Sequence, residues 1–329
     1  MEALAPVAVD RVRITTLMDN SADLLAHHAK AARDVTFRGE RVPTSIMEGG
    51  TTFDGLVAEH GYSALVELWS GTRRASVLYD AGLSPHGLRE NMRRLEVDPR
   101  DLQAVVMSHG HFDHTTGLEG IIRDLGSVGM PVVLHPDFWN RRRIRIDGTE
   151  PIELPTPSRR SFEEVGVQVT EGRRPSFMFD AGLLVTGEVD RTTEYEKGFP
   201  TQQAFWDGHW HDDELTLDDQ ALVINVAGKG LVVMSGCGHA GIVNIVRYAQ
   251  RLTGVDAVHA VIGGFHLSGA PFEPIIDRTV DALAAVSPDV VVPAHCTGWK
   301  AQLALADRLP DAVLLNAVGA TFDLAAAPG

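Results

Sequence analysis

One short segment of the chain concentrates side chains that bind metal ions. Residues 108–114 read SHGHFDH, so His109, His111, Asp113 and His114 fall within six positions. Neutral imidazoles and carboxylates are the ligands that Zn²⁺, Mn²⁺ and Fe²⁺ take in proteins. A single histidine is usually structural, but four such side chains in one short segment predict a divalent metal site.

The elements around this segment explain how it could hold an ion. Leu102–Met107 is a continuous apolar run of strand length, and Thr116–Leu125 has the pattern of a helix. Alternate residues of a loop that leaves a strand point to one side, so His109 and His111 can chelate the same ion. Asp113 and His114 can turn toward an adjacent position. We expect one or two ions, with Zn²⁺ favoured over Mn²⁺ or Fe²⁺.

Apolar runs and amphipathic stretches alternate along the chain. Residues 63–69 and 75–79 predict a pair of strands, and later strands are expected at 221–226, 230–234, 258–262 and 290–293. Helices are predicted between the later strands, at 242–252 and 277–285. This pattern favours two packed sheets with helices outside. The regular order fades in the arginine-rich segment 136–215, which we interpret as an insertion covering the active site of a single domain, residues 1–329.

Composition limits the classes of function. The 329-residue chain has a formal net charge of −15, which argues against a nucleic-acid partner because phosphates need a basic surface. Two cysteines cannot provide a disulfide framework. The N-terminus lacks a signal-peptide pattern, and no segment has the length and apolarity of a membrane span. We therefore expect a cytoplasmic protein that acts on a small molecule and has no membrane partner.

The segment 108–114 resembles the H-x-H-x-D-H signature of the metallo-β-lactamase superfamily. Asp80, in the sequence VLYDAG, matches an aspartate that supports the metal-binding loop in that family, and His295 matches the histidine that completes its second metal site. The resemblance implies an α+β fold, a four-layer αβ/βα sandwich. It also implies catalysis through Asp113, which orients or deprotonates a water molecule.

The chain departs from the superfamily pattern after residue 230. Cys237 stands where a metal-bridging aspartate is usual, and His239 follows it in the turn 236–241. We predict that His239 is a metal ligand and that Cys237 packs inward beside the site, although a thiolate can also bind zinc. His209 and His211 are the candidates for the third histidine of the first site. His266 is predicted either as a ligand or as a substrate-facing acid or base.

Further segments resemble one branch of the superfamily, typified by dihydropterin–(ribofuranosyl)aminobenzene 5′-phosphate synthase. The matching segments are spread over most of the chain, at 18–20, 59–63, 186–191, 236–242, 263–267 and 295–298. The branch usually has proline where this chain has Asp190. Arg191 and Glu196 lie in or beside a matching segment, so we predict that they contact substrate, with a structural ion pair as the alternative.

Two features of the insertion bear on the substrate. The run Arg141–Arg145 could grip a phosphate or form a solvated charged face. Trp206 and Trp210 could stack on a flat ring or fill the interior of the insertion. The substrate is thus expected to be a small molecule that is phosphorylated or aromatic.

Three functions compete. The first is a metallohydrolase acting on an ester, lactone or phosphodiester, in which the metal lowers the pKa of water toward about 7. The second, implied by the branch, is a transferase that joins a dihydropterin methyl diphosphate to an aminobenzene riboside phosphate. The third is a metal-binding module without catalysis, which Asp113 disfavours because a site used only for binding could lose that residue most freely.

Overall fold

The computed structural model describes residues 4, 6–23, 25, 32–33, 41–125 and 129–326. Within these ranges the chain forms twenty β-strands and seven α-helices. The first ten strands are β1 (Arg11–Met18), β2 (Ala32–Arg33), β3 (Arg41–Pro43), β4 (Thr51–Phe53), β5 (Ser63–Ser70), β6 (Arg73–Tyr79), β7 (Ala104–Val106), β8 (Pro131–Leu134), β9 (Arg141–Ile144) and β10 (Ile152–Glu153). The other ten are β11 (Gln168–Glu171), β12 (Ser176–Met178), β13 (Leu183–Val185), β14 (Gln202–Trp206), β15 (His209–Asp212), β16 (Leu222–Val226), β17 (Gly230–Ser235), β18 (Val258–Gly264), β19 (Val290–Ala294) and β20 (Thr321–Ala325).

The helices follow strand ends and cover the sheets. They are α1 (Gly87–Arg94), α2 (Phe112–Thr115), α3 (Leu118–Leu125), α4 (Arg159–Glu164), α5 (Ile242–Thr253), α6 (Ile276–Val286) and α7 (Trp299–Arg308). Short 3₁₀ helices lie at Pro99–Asp101, Pro136–Trp139, Glu273–Ile275 and His295–Thr297. None of the helices in the described part of the chain is long and apolar enough to cross a membrane.

Two mixed sheets form the body of the protein. The larger sheet has the strand order β11-β8-β7-β6-β5-β1-β20-β2, and the second has the order β12-β13-β16-β17-β18-β19. β6, β7, β8 and β11 run parallel to one another, as do β17, β18 and β19. The carboxyl ends of parallel strands share one sheet edge, so the loops after these strands gather functional side chains.

Strand alternation builds three apolar layers. In the larger sheet Ile14, Val66 and Val77 are paired in register and face the second sheet. The neighbouring Leu65 and Leu78 face the opposite way and pack under α1 and α3. Corresponding alternate positions of the second sheet face α5, α6 and α7. The order helices–sheet–sheet–helices confirms the predicted four-layer α+β sandwich.

The segment 136–215 contributes a small antiparallel sheet of its own. β9, β10, β14 and β15 make up this sheet in the order β10-β9-β14-β15. The same segment also supplies the edge strand β11 of the larger sheet and the last two strands, β12 and β13, at one side of the second sheet. That this segment is an insertion within one domain stays a prediction.

Candidate metal centre

The candidate centre lies where strand ends of the two sheets meet. Residues 109–114 follow β7 of the larger sheet, and residues 237–239 follow β17 of the second sheet. Asp80, His266 and His295 each come one or two residues after the end of a strand and have φ angles of 59°, 47° and 48°. Left-handed backbone at residues other than glycine is costly and concentrates at functional sites.

Three buried histidines form a set that we call the first donor group: His109, His111 and His239. One ring nitrogen from each lies within 4.8 Å of the others. Nε2 of His109 is 2.9 Å from Nδ1 of His111, and the ring of His239 lies 4.7 Å from that of His109. The structure therefore brings together two histidines of the signature with one from a turn more than a hundred residues away.

Asp113, His114 and His295 form a second donor group beside the first. Oδ2 of Asp113 lies 3.3 Å from Nε2 of His295 and 3.9 Å from Nε2 of His114. The ring centroids of His114 and His109 are 4.4 Å apart, so the two groups are adjacent. Two neighbouring sets of nitrogen and oxygen donors could hold one or two cations.

Hydrogen bonds behind the first group leave bare nitrogen lone pairs facing each other. Ser108 donates its hydroxyl proton to Asp80, so it accepts from Nδ1–H of His109, and Nε2 of His109 is bare. Nε2–H of His111 donates to Gln202 Oε1 at 2.6 Å, which leaves Nδ1 bare. Two lone pairs at 2.9 Å repel unless a cation lies between them and the other donors. The donor set fits a metal ion.

The second donor group and His239 also have ring nitrogens without a hydrogen-bond partner. Nδ1–H of His114 donates to Asp80 Oδ2 at 2.7 Å, and Nδ1–H of His295 donates to Asn20 Oδ1 at 3.2 Å. Among the described residues, the buried Nε2 of His114 and both ring nitrogens of His239 have no hydrogen-bond partner. Buried polar atoms without a partner are costly, and a bound metal would satisfy them.

Protonation preferences differ across the cluster. Burial lowers the pKa of His109 and His239 well below the ordinary value, and lowers that of His111 to about 4. Burial opposes ionisation of Asp113, but the nearby His114 and His295 outweigh it and lower the pKa of Asp113. The first donor group is therefore neutral and Asp113 is ionised at neutral pH, as metal binding requires.

Cys237 lies inside the cluster, at ligand distance from the histidines and not only beside them as predicted. Its sulfur is within 4.8 Å of donor nitrogens of His109 and His114 and 3.0 Å from Sγ of Cys296. The reason is the turn: Gly238 has a φ of +77°, and the alternate residues Cys237 and His239 both reach the cluster. Gly236 permits this approach, since a Cβ there would lie 2.2 Å from the Ser108 hydroxyl.

Comparison with known proteins identifies the family. The family model for the metallo-β-lactamase superfamily matches residues 57–187. A curated protein of Methanocaldococcus jannaschii, 7,8-dihydropterin-6-methyl-4-(β-D-ribofuranosyl)-aminobenzene-5′-phosphate synthase, is 30% identical over 253 residues, which cover 74% of this chain and 83% of that protein. The chain belongs to the metallo-β-lactamase superfamily.

Two further similarities support this assignment. An uncharacterised protein of the same organism is 32% identical over 262 residues, covering 78% of this chain and 91% of the relative. A crystal structure of a metal-dependent hydrolase of the β-lactamase superfamily superimposes with a TM-score of 0.68 and 24% identity, covering 95% of this chain and 99% of the other. The second similarity shows a shared fold.

In this metallo-β-lactamase chain, the third histidine of the first donor group is His239. The sequence candidates His209 and His211 lie on β15, where the ring of His211 stacks 4.1 Å from Trp206. Neither belongs to a potential metal-binding group found among the described residues. The hairpin β14–β15 holds both side chains outside the cluster. His239 takes the place for which His209 and His211 were the candidates.

Buried polar residues that the sequence analysis missed hold the metal-binding loop. Asp218 accepts a hydrogen bond from the backbone N–H of Gly110 at 2.8 Å and pairs with Arg142, which is 2% exposed. Arg142 also binds Asp213. Within the run 141–145, Arg142 is a buried support and Arg141 pairs with Glu153, so neither side chain is free to bind a phosphate. Arg142 points inward because strand residues alternate.

The early motif at 18–20, whose role could not be predicted, positions the second donor group. Oδ1 of Asp19 accepts the backbone N–H of His295 at 2.8 Å, and Asn20 accepts from the ring of the same histidine. Asp80 likewise fixes two residues, because it accepts from Ser108 as well as His114. These contacts orient the imidazole rings that face the cluster.

Arg191 and Glu196 make architectural contacts in the structure, and their predicted contact with substrate stays a prediction. Arg191 donates to the backbone carbonyl oxygens of His239, at 2.9 Å, and Leu215. Glu196 accepts the backbone N–H groups of Val243 and Asn244, each at 2.9 Å, at the start of α5. Arg191 thus supports the turn that carries His239, and Glu196 caps a helix.

His266 borders a cavity of about 270 Å³ that opens beside the first donor group. Its ring lies 4.1 Å from that of His239, and Nδ1 is 3.2 Å from the sulfur of Cys237. Nε2 is buried without a hydrogen-bond partner in the described structure. The residues that line the cavity include Tyr195, Glu196, Lys197, Glu214, His239 and Phe272.

Proposed function

We propose that this protein is a metal-dependent hydrolase that cleaves an ester, lactone or phosphodiester bond with water. The observation that carries the proposal is the pair of bare nitrogens of His109 and His111, 2.9 Å apart and backed by Ser108 and Gln202. Hydrogen bonds that fix imidazole tautomers in this way are typical of metal sites. The metal identity that we propose is Zn²⁺, because the donors are mainly imidazoles.

The side chains divide the work of hydrolysis. The first donor group would hold one ion, and the second donor group would hold a second ion or share the first. A divalent cation in such a site acidifies water and polarises a carbonyl or phosphoryl oxygen. Asp113 stays ionised, so it can accept a hydrogen bond from the attacking water and orient it. Its own orientation is limited by His295 at 3.3 Å.

His266 is the proposed acid or base on the cavity side. Its left-handed backbone directs the ring between Cys237 and Phe272, whose ring centroid is 4.4 Å away. The residue lines the cavity, and its buried Nε2 has no hydrogen-bond partner in the described structure, so we propose that a substrate that enters the cavity provides one. A side chain within hydrogen-bond reach of the scissile bond can transfer a proton to the leaving group.

The hydrolase proposal is tested with the metal-reconstituted chain and no second substrate. Aryl phosphodiesters, aryl esters and lactones are incubated in water-only reactions, and product is followed by absorbance or chromatography. We expect turnover of at least one class, its loss after chelation, and its recovery when Zn²⁺ is added back. His209→Ala is the control, since that histidine lies on β15 outside both donor groups.

A transferase is the second candidate, favoured by the similarity to the synthase over 83% of that protein. Tyr195, Phe265 and Phe272 line the cavity beside His266, and the ring of Phe272 lies 4.4 Å from that of His266. Aromatic rings around a cavity favour a flat substrate. In this case the protein would join a dihydropterin methyl diphosphate to an aminobenzene riboside phosphate.

One comparison separates the three functions. Diphosphate release is measured from the pterin diphosphate with and without the aminobenzene acceptor. Release that strictly requires the acceptor supports the transferase and contradicts the hydrolase. Hydrolysis with water alone supports the hydrolase. A reconstituted protein that retains metal but turns over none of these substrates would favour a module that only binds metal.

A further inference from the structure

His60 lies at the entrance to the second donor group, and one of its ring nitrogens is within 4.8 Å of donor atoms of Asp113 and His295. Its side chain is 64% exposed, and Nε2 lies 3.7 Å from Oδ2 of Asp113. The ring centroid is 5.0 Å from that of His295. An exposed ring beside two buried donors is accessible to any molecule that approaches them from solvent.

The backbone around His60 is fixed to the metal-binding segment. The N–H of Tyr62 donates to the carbonyl oxygen of Asp113 at 3.3 Å, and the N–H of Glu59 donates to the carbonyl oxygen of Asp19 at 3.1 Å. Gly61 packs so closely that a Cβ there would lie 2.7 Å from the Asp113 carbonyl oxygen. His60 is therefore held at a set distance from Asp113 although its ring is exposed.

Asn20 determines which nitrogen of His60 carries the proton. The amide Nδ2 donates to the carbonyl oxygen of His295 at 3.1 Å, while Oδ1 accepts from Nδ1–H of the same residue at 3.2 Å. These two contacts fix which end of the amide is nitrogen. The remaining N–H then donates to Nδ1 of His60 at 3.3 Å. Nδ1 of His60 is thus an acceptor, and the proton of its neutral ring is on Nε2.

We propose that His60 is a substrate-contacting residue that donates its Nε2–H to an oxyanion, a carboxylate or phosphoryl oxygen, at the second donor group. The inference rests on the proposed function and specifies how that site holds its substrate. The side-chain amide of Asn20 thus fixes a different tautomer in each of two histidines. His295 has a bare Nε2 that faces the centre, whereas His60 has an Nε2–H. Because its lone pair binds Asn20, His60 is a donor and not a metal ligand.

The tautomer is tested without turnover. In protein labelled with ¹⁵N at histidine, two-bond ¹H–¹⁵N spectra of the metal-free chain distinguish Nε2–H from Nδ1–H. We expect the Nε2–H form for His60, and a further shift of that nitrogen when inorganic phosphate is added to the zinc-loaded chain. An Nδ1–H form, or no response of His60 to saturating phosphate, would overturn the proposal.

Variants provide the functional test. His60→Ala should keep the metal content of wild type and lose kcat on the order of 100-fold, as expected for a lost oxyanion donor. His60→Gln retains an N–H donor and should recover part of kcat, while His209→Ala should match wild type. Loss of metal in His60→Ala would show a ligand, and unchanged kcat would show no substrate contact; either overturns the proposal. A wild type with no turnover counts against the proposed function, whereas the phosphate titration still tests His60.

Discussion

Nδ1 of His114 donates to Oδ2 of Asp80 at 2.7 Å, with both side chains completely buried. The same carboxylate accepts the backbone N–H and the hydroxyl of Ser108, so one residue after β6 orients donors of both groups. Support of this kind fixes the tautomer of a ligand and raises its basicity.

We therefore expect the variant Asp80→Asn to bind metal more weakly, although all the metal ligands themselves are retained. The amide cannot accept from all three donors, so the ring of His114 loses its fixed orientation. We expect metal affinity to fall by about 10- to 100-fold, measured by competition with a chromophoric chelator. Asp147→Asn, an exposed change within 136–215, is the control. Equal metal affinities of Asp80→Asn and Asp147→Asn would show that Asp80 does not support the metal site.

The sulfur of Cys237 gives a spectroscopic prediction. Because it lies within 4.8 Å of donor nitrogens of His109 and His114, a bound ion should contact the thiolate. Cobalt-substituted protein should show a sulfur-to-cobalt charge-transfer band in the near ultraviolet, absent in Cys237→Ser. His239→Ala should lose the ion of the first donor group while keeping that band. A cobalt spectrum without the band would mean that Cys237 is no ligand.

Metal binding should release a proton from His114. Burial lowers the pKa of His114, but Asp80 and Asp113 outweigh it and raise the pKa to about 9. In the metal-free protein this raised pKa contributes stability that is full below the ordinary value of 6.5 and lost as the pH rises through about 9. At neutral pH a metal ion must therefore displace a proton from this ring.

Calorimetry in buffers of different ionisation enthalpy measures that release. We expect His114 to contribute about one proton per chain when Zn²⁺ binds near neutral pH. The release should drop in Asp80→Asn, where the carboxylate that raises the pKa is gone. The histidines of the first donor group contribute none, because their pKa values are lowered. Equal release in wild type and Asp80→Asn would contradict this account of His114.

Glu196→Gln tests whether the residue caps a helix or binds substrate. The carboxylate accepts two backbone N–H groups at the start of α5, so its loss should lower the free energy of unfolding by about 2 kcal/mol. Urea unfolding measures the change, and Glu194→Gln, an exposed neighbour, should stay within about 1 kcal/mol of wild type. A raised KM of Glu196→Gln with unchanged stability would show that Glu196 contacts substrate and does not stabilise the helix.

Much of the fold was predictable because the spacing of apolar residues within short segments of the sequence indicates strands and helices. Residues 63–69 and 75–79 predicted the hairpin that is observed as β5 and β6. The cluster at 109–114 was visible because its donors are adjacent in sequence, and the resemblance to the superfamily pointed to His295. Local patterns and a family motif therefore sufficed for the layers and for most of the donors.

The remainder depended on contacts between distant residues. Arg142 finds Asp213 and Asp218 more than seventy residues away, and Glu196 caps a helix that begins 46 residues later. No local pattern encodes these partners. The position of the Cys237 sulfur at ligand distance from His109 and His114 depends on the left-handed backbone of Gly238, which the sequence allowed but did not require. Tertiary context determined each of these roles.

The metal content of the protein tests directly whether the histidine cluster binds a metal ion. Wild type, His109→Ala and the control His209→Ala are reconstituted with Zn²⁺, desalted, and analysed by inductively coupled plasma mass spectrometry. We expect at least one tightly bound ion per chain in wild type and in His209→Ala, with loss of an ion in His109→Ala. Wild-type protein that retains no Zn²⁺, Mn²⁺ or Fe²⁺ above the buffer level after reconstitution with each would contradict this expectation.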